Sequence, residues 1–218
     1  MIPKLHYALD TLSVEETLDC LKAGVGETAD IIEMGSSIIL SEGNKVIKYV
    51  KTLFPDKEIV ADIKMLMPTA RGRVPPLMDA WADAIIAVSS IDLDMIAVAV
   101  DEIYHKRNKK MYMYIHIENG KMYTEEYMEK WRSAGIKNVI YHSINPGFAW
   151  NNNDTEIVKT LCKSSFDVSV TGKLKLESIQ DFAGLPIYSF IVGTAIAKSE
   201  NPLKQIQLFK KEIETVFG

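Results

Sequence analysis

The sequence has few cysteines and no long apolar run. Its 218 residues include only two cysteines, Cys20 and Cys162, which are far apart and lack the spacing of a metal-binding motif. This excludes a disulfide framework and predicts a protein of a reducing compartment, the cytoplasm. No apolar segment approaches the roughly 20 residues that a membrane-spanning helix requires. The N-terminus enters a strand-like run at once, so we expect no signal peptide.

An excess of basic residues is also missing. The chain has 25 Lys and Arg against 29 Asp and Glu, a formal net charge of −4. Proteins that bind nucleic acid or a membrane surface usually present a basic face, so we expect neither partner. With 47% hydrophobic and 25% charged residues, the chain resembles an ordinary soluble globular protein that can bury a sizeable core.

The sequence does contain a regular alternation of strand-like and helix-like segments, without a low-complexity linker. The predicted strands cover residues 5–9, 30–35, 58–64, 83–88, 110–117, 138–142, 167–170 and 187–192. Repetition of this unit over 218 residues is typical of an α/β protein of the (β/α)8 TIM barrel type, with residues 1–218 forming a single domain. A doubly wound open sheet is the alternative, but it would need fewer units at this length.

Two segments interrupt the alternation. Residues 65–76 contain Pro68, Pro75 and Pro76, which predicts a loop or a broken helix. Residues 143–153 contain a run of asparagines and are predicted to form a polar loop, with the next helix beginning at Thr155.

The third predicted strand combines an apolar run with two opposite charges, Asp62 and Lys64. Because side chains alternate along a strand, both should point to the same side. Opposite charges at the end of a buried strand are costly unless something uses them, and barrel enzymes carry their chemistry at this end. The pair is therefore either the centre of an active site or a salt bridge that closes the strand.

Carboxylates also end the first two strands, at Asp10 and Glu33. Three carboxylates at one barrel mouth would repel one another, which implies a cation. Lys64 supplies one positive charge, and Glu33 and Asp62 are hard oxygen ligands suited to Mg²⁺. The alternative is a hydrogen-bonded ion network without a metal.

The later strands end in residues of a different kind. His116 and His142 follow strands five and six, and either could act as a general acid or base. His6 and His105 are interpreted as structural or solvated.

Strands seven and eight of barrels often hold a phosphate group on backbone N–H groups. In this chain those strands end at Thr171-Gly172 and Gly193-Thr194, where glycine permits close approach of the oxygens.

Several motifs resemble the orotidine 5′-phosphate decarboxylase superfamily. The chain is most similar to its 3-keto-L-gulonate 6-phosphate decarboxylase branch and next to its D-arabino-hex-3-ulose 6-phosphate synthase branch. The motifs are Ala8-Leu-Asp10, Asp30-Ile-Ile-Glu-Met-Gly35, Val60-Ala-Asp-Ile-Lys64, Trp131-Arg-Ser-Ala-Gly-Ile136, Val139-Ile-Tyr-His142, Val168-Ser-Val-Thr-Gly172 and Phe190-Ile-Val-Gly193.

The resemblance implies a homodimeric barrel that acts on a phosphorylated ketose or sugar acid, with its active sites at the dimer interface. It places Asp10 in the site, assigns Glu33 and Asp62 to Mg²⁺, and assigns Lys64 to the enediolate intermediate. It further implies that His142 delivers a proton, while the backbone around Gly172 and Gly193 holds the phosphate.

The chain departs from the family pattern at several positions. Met67 replaces the second aspartate of Asp-x-Lys-x-x-Asp, which normally reaches into the partner subunit's site. His116 stands where a carboxylate is expected near the end of strand five, and an expected arginine is missing from residues 143–147. Thr194 replaces another arginine of the phosphate loop. Lys173 replaces a glycine and could supply the lost positive charge.

These features predict a Mg²⁺-dependent carbon–carbon lyase that decarboxylates a substrate such as 3-keto-L-gulonate 6-phosphate. An aldolase of the hexulose-phosphate synthase type is the close alternative, since its intermediate is nearly the same. Another alternative is a phosphosugar-binding homologue without catalysis, because Met67 breaks the motif. An epimerase or isomerase of a pentose phosphate is less well matched, because no pair of carboxylates is clearly placed as acid and base.

Overall fold

The computed structural model describes residues 1–65, 70–91, 93–104, 112–118, 123–143 and 150–218. Eight parallel strands close into a barrel in sequence order, each paired with the next and the last with the first. They are β1 (Lys4–Leu9), β2 (Ile31–Met34), β3 (Glu58–Met65), β4 (Ala84–Val88), β5 (Tyr112–Glu118), β6 (Asn138–His142), β7 (Asp167–Thr171) and β8 (Ile187–Val192). The predicted (β/α)8 barrel is confirmed.

Helices connect consecutive strands in the described part of the chain. They are α1 (Val14–Leu21), α2 (Val25–Thr28), α3 (Ser36–Glu42), α4 (Lys45–Leu53), α5 (Ala70–Asp79), α6 (Leu93–Tyr104), α7 (Glu125–Ser133), α8 (Asn152–Lys163), a 3₁₀ helix (Leu176–Phe182), α9 (Thr194–Ala197) and α10 (Pro202–Phe217). No helix in these ranges is long and apolar enough to cross a membrane.

The apolar core has two parts because side chains of a strand alternate between the barrel interior and the helices. The outer part lies between strands and helices and includes the fully buried Trp131 of α7 and Phe209 of α10. The inner part fills the barrel with residues such as Val60, Ala84 and Ile140. The barrel is therefore solid through its middle, and polar side chains are left for its two ends.

Two expectations about segment boundaries need correction. Helix α5 begins at Ala70 and runs through both Pro75 and Pro76, although neither proline can donate a backbone hydrogen bond within it. Helix α8 begins at Asn152 rather than at Thr155, because Asn151 caps it by accepting hydrogen bonds from two backbone N–H groups. The asparagine run therefore forms the start of a helix. Met67, which the sequence singled out, lies outside the described residues.

A polar network closes the amino end of the barrel, opposite the strand ends where polar residues were expected. Lys4 Nζ lies 3.1 Å from Glu58 Oε2 and donates to the Tyr188 hydroxyl at 2.6 Å. The hydroxyl of the fully buried Tyr114 donates to Glu58 Oε1. Each member has a charged or hydroxyl partner, as buried polar groups require.

We expect Tyr114→Phe to lower the free energy of unfolding by about 1–3 kcal/mol, because the variant removes a donor from a largely buried carboxylate. Urea denaturation followed by circular dichroism measures the change. Tyr49→Phe is the matched control: Tyr49 is half exposed, so its variant should stay within about 0.5 kcal/mol of the wild type. Equal stabilities for both variants would contradict a stabilising network.

Candidate active site

A small cavity of about 110 Å³ opens at the carboxyl end of the barrel. Side chains from all eight strands or their carboxyl ends surround it. The lining residues are Ala8, Asp10, Glu33, Asp62, Lys64, Ile86, His116, Ile140, His142, Thr171 and Ile191. The structure therefore brings together the three carboxylates, the lysine, both histidines and Thr171 that the sequence singled out.

Strand β3 places Asp62 and Lys64 side by side through an irregularity rather than through simple alternation. The pairing with β4 shifts between Asp62 and Met65, and Lys64 has a φ of +38°. Such bulges redirect side chains near active sites. Lys64 Nζ lies 2.5 Å from Asp62 Oδ2, and the Lys64 backbone N–H donates to Asp62 Oδ1 at 3.1 Å.

Glu33 lies beside this pair on the neighbouring strand β2 and is largely buried. His6 Nε2, from the fully buried side chain on β1, lies 3.0 Å from Glu33 Oε2. The two groups are not aligned as a hydrogen bond, and Glu33 Oε2 accepts none within the part of the chain that the structure describes. His6 is thus buried rather than solvated, and it lies next to a carboxylate that lines the cavity.

The position of His6 beside Glu33 is a feature that the sequence interpretation missed. A period of two along β1 would have found it, because His6, Ala8 and Asp10 fall on one face of the strand.

The crowded negative charge changes the titration of the carboxyl groups. Burial and the charge of Glu33 raise the pKa of Asp62 to about 6, although Lys64 opposes the shift. Desolvation and Glu33 also raise the pKa of Asp10, which remains partly open to solvent at the rim. For Lys64, desolvation lowers the pKa, but Asp62, Glu33 and Asp10 together raise it above its ordinary value. The lysine is therefore positively charged at neutral pH.

The residues present fit the expected Mg²⁺. Glu33 and Asp62 supply buried carboxylate oxygens on adjacent strands, and the orphaned Glu33 Oε2 is available as a ligand. Within the described ranges, no group of three or more His, Cys, Asp or Glu side chains is arranged to hold a metal ion. Mg²⁺ commonly uses only one or two carboxylates, with water and substrate completing its shell.

The opposite side of the cavity carries a pair of histidines. His116 Nε2 lies 3.1 Å from His142 Nδ1, and the ring centroids are 5.1 Å apart. His116 is almost completely buried, and His142 is half-buried. Desolvation, then the charges of Lys64 and His142, lower the pKa of His116 to about 3. His116 is therefore neutral at physiological pH.

The structure changes the interpretation of the end of strand five. Strand β5 ends at Glu118, one residue beyond the predicted end, and Glu118 is in register with His142. A carboxylate residue does therefore stand at this strand end, two positions after His116. The strand extends to Glu118 because this residue pairs with His142 of β6, a partner that no local pattern reveals.

The predicted phosphate residues follow β7 and β8 at the rim of the cavity. Thr171 Oγ1 donates to the Ile191 carbonyl at 3.3 Å and is the member of this group that lines the cavity. Gly172 has a φ of +115°, and a Cβ there would lie 2.3 Å from the Ser143 carbonyl oxygen. A Cβ on Gly193 would lie 2.9 Å from the Ala8 carbonyl oxygen. Both glycines are required for this close backbone packing.

Lys173 and Thr194 are exposed beside these glycines. Lys173 has a φ of +49°, so the two residues after Thr171 both have left-handed backbone. Neither Lys173 nor Thr194 lines the cavity itself. Both residues lie on the rim of the cavity, after β7 and β8.

Two further residues, Asp154 and Trp150, support the site from outside the barrel, and Asp154 was not singled out from the sequence. The fully buried Asp154 of α8 accepts hydrogen bonds from the Tyr141 hydroxyl at 2.6 Å and from Ser143 Oγ at 3.2 Å, on either side of His142. Trp150 Nε1 donates to the Gly172 carbonyl at 3.1 Å. The ends of β6 and β7 are thereby fixed by the segment that connects them.

The neutral state of His116 generates a prediction about stability against pH. Its folded pKa lies below its unfolded value, so the unfolded chain binds the extra proton between about pH 6.5 and pH 3. The free energy of unfolding of the wild type should therefore decrease as the pH is lowered through this window, relative to that of His116→Gln. We expect the stability difference between the two proteins to shrink by about 1–3 kcal/mol from pH 7 to pH 4. A difference independent of pH in urea denaturation would show that His116 titrates normally.

The chain was compared with known proteins. Residues 3–209 match the model of the orotidine 5′-phosphate decarboxylase / HUMPS family. A 3-keto-L-gulonate-6-phosphate decarboxylase of Salmonella paratyphi B is 31% identical over 223 residues, covering 100% of this chain and 99% of that protein.

Solved structures agree with this result. A KGPDC of Streptococcus mutans, solved as a complex, has a TM-score of 0.91 and 29% identity, with 100% of both chains covered. A 3-hexulose-6-phosphate synthase has a TM-score of 0.83 and 28% identity, covering 96% of this chain and 99% of that one. The chain therefore belongs to the orotidine 5′-phosphate decarboxylase / HUMPS family.

Proposed function

We propose that this protein is a Mg²⁺-dependent carbon–carbon lyase that decarboxylates a phosphorylated sugar acid such as 3-keto-L-gulonate 6-phosphate. The observation that carries the proposal is the cavity in which Glu33, Asp62 and Lys64 lie together. The similarity to 3-keto-L-gulonate-6-phosphate decarboxylases over the whole chain supports the choice of substrate.

The proposed reaction needs positive charge where an enediolate develops. The bond between the substrate's carboxyl carbon and its neighbour breaks, CO₂ leaves, and the electron pair stays conjugated with the adjacent carbonyl. Lys64 is charged and held against Asp62, so its ammonium group can stabilise the developing oxyanion without reorganisation.

Glu33 and Asp62 would hold the metal ion. Bound Mg²⁺ would polarise the substrate carbonyl and balance the negative charge of the intermediate. The buried carboxylate pair is suited to this task because a bound cation relieves its mutual repulsion. Asp10, at the rim on the same side, would orient the substrate hydroxyl groups by accepting hydrogen bonds.

Proton delivery would complete the reaction on the histidine side. His142 is half-buried in the cavity wall opposite the carboxylates, so its imidazole can donate to the carbon that lost CO₂. The proton replaces the departed carboxyl group, which yields the ketose phosphate.

The substrate phosphate would bind at the rim after β7 and β8. The backbone around Gly172 and Gly193 would donate N–H groups to the phosphate, and Thr171 and Thr194 lie next to these glycines. Lys173 adds a positive charge to a surface that lacks the arginine expected in the family pattern at position 194.

An aldolase that releases formaldehyde from a hexulose phosphate is the second candidate. It is favoured by the similarity to a 3-hexulose-6-phosphate synthase over 96% of the chain. The same cation and carboxylates would stabilise its enediolate intermediate, so the two reactions differ in the leaving group.

A homodimer remains a prediction of the resemblance. Leu12 and Leu40 are 67% and 81% exposed, and Ser41 Oγ donates to the Leu12 carbonyl, so the two leucines belong to neighbouring surface. Such apolar exposure beside the barrel mouth is compatible with a second subunit. Met67 lies outside the described residues. Its replacement of the family's aspartate in a shared site is the basis of the alternative, a phosphosugar-binding protein without catalysis.

Incubation with 3-keto-L-gulonate 6-phosphate and with hexulose 6-phosphate, with CO₂ and formaldehyde both scored, tests the function. We expect Mg²⁺-dependent CO₂ release that EDTA abolishes, and Glu33→Gln should lower its rate at least about 100-fold because the metal loses a ligand. Glu15→Gln, at an exposed carboxylate of α1, should leave the rate unchanged. Formaldehyde alone would favour the aldolase, and neither product would overturn both candidates.

Lys173→Ala tests the phosphate assignment. We expect the Kd for a phosphosugar to rise about 3–10-fold, since one charge of an exposed site is lost. Lys175→Ala removes an equally exposed lysine two positions away and should not change the Kd. Isothermal titration calorimetry provides both values, and equal affinity for both variants would remove Lys173 from the site.

A further inference from the structure

His116 and His142 form a hydrogen-bonded pair whose protonation is restricted by geometry. They stand on the adjacent strands β5 and β6, and the Nε2–Nδ1 distance of 3.1 Å leaves room for one hydrogen between the rings. Either His142 Nδ1–H donates to His116 Nε2, or the reverse holds. The first arrangement leaves His142 Nε2, on the far side of that ring, as the nitrogen that can gain and lose a proton.

The direction of this hydrogen bond follows from where charge can be placed. When His142 is protonated, both of its ring nitrogens carry hydrogen, so its Nδ1–H can only donate towards His116. His116 Nε2 must then be bare, and a second proton on His116 is disfavoured because that ring is only 4% exposed and Lys64 is near. A neutral His116 therefore accepts the hydrogen bond whenever His142 carries the Nε2 proton that it can donate.

Charged groups on the neighbouring strands also affect which ring of the pair can carry a proton. Lys64 repels a cation on either ring, whereas Asp10, Glu33 and Asp62 line the same cavity from β1 to β3. Glu118 ends β5 in register with His142, and on the outer side of β6 a carboxylate of α8, Asp154, contacts the residues that flank His142. Asp10, Glu33 and Asp62 thus oppose the repulsion by Lys64, and a cation is better tolerated on the more exposed ring of the pair, that of His142.

We propose that His116 is a positioning residue that accepts the Nδ1–H of His142 and so keeps Nε2 of His142 as the proton-donating atom of the cavity. The catalytic part of this proposal, proton donation by His142, rests on the function proposed above. The hydrogen bond itself is independent of any substrate. When His142 donates its Nε2 proton it becomes the neutral Nδ1–H form, and His116 remains neutral throughout.

The ¹⁵N chemical shifts of the histidine rings test the hydrogen bond in the free, full-length protein. Above the pKa of His142 we expect its Nδ1 to be protonated and its Nε2 to be bare. His142→Gln identifies the signals. His116→Leu removes the acceptor and should shift His142 towards the Nε2–H tautomer, whereas His116→Gln retains an acceptor oxygen. An Nε2–H tautomer of His142 in the wild type would overturn the proposal, even if His116→Leu fails to fold.

The pH dependence of turnover tests the catalytic meaning. His116→Leu should lower kcat about 10-fold, change KM less than about twofold, and move the alkaline limb about one pH unit lower, because protonated His142 loses its acceptor. His116→Gln should restore most of kcat and the position of the limb. An unchanged limb in His116→Leu would overturn the positioning role. The absence of turnover in the wild type would overturn the proposed function while leaving the tautomer result decisive for the hydrogen bond.

Discussion

The structure of the site depends on one electrostatic constraint, the balance of three carboxylates by the ammonium group of Lys64 in a desolvated cavity. The carboxylate of Asp62 and the amine of Lys64 are 2.5 Å apart, and the burial of Asp62 with Glu33 beside it raises the pKa of Asp62 to about 6. Such a cluster is unfavourable unless a further cation balances it. The barrel supplies the rigidity that keeps these groups together, because the carboxylates are fixed by different strands of a closed sheet.

The two sides of the cavity differ in charge, and this difference suits a reaction that first creates and then quenches an anion. The side formed by β1 to β3 concentrates charged groups, whereas β5 and β6 contribute a neutral, buried histidine hydrogen-bonded to a half-buried one. The amino end of the barrel is closed by a separate polar network around Glu58. The apolar interior between the two ends, including Val60 and Ile140, isolates one set of charges from the other.

The fold could be predicted because a period of alternating strands and helices is a local property of the sequence. The positions of Asp10, Glu33, Asp62 and His142 at strand ends followed from the same pattern, and the structure places all four around one cavity. Other features could not be predicted in this way. The extent of β5 to Glu118 and the start of α8 at Asn152 depend on pairing and capping partners that the local pattern did not reveal. The end of β5 was therefore predicted one residue too early, and the start of α8 three residues too late.

The sequence by itself determined the (β/α)8 class and the polar residues that end most strands, because the alternation of strands and helices is a local pattern, and its motifs indicated the family. Only the tertiary structure decided how the groups meet. The bulge in β3 turns Lys64 onto Asp62, Gly172 approaches Ser143 more closely than any side chain would allow, and His116 reaches the ring of His142. The contacts of Gly172 and His116 join residues of different strands, and their distances are set by the closure of the barrel, which no local pattern encodes.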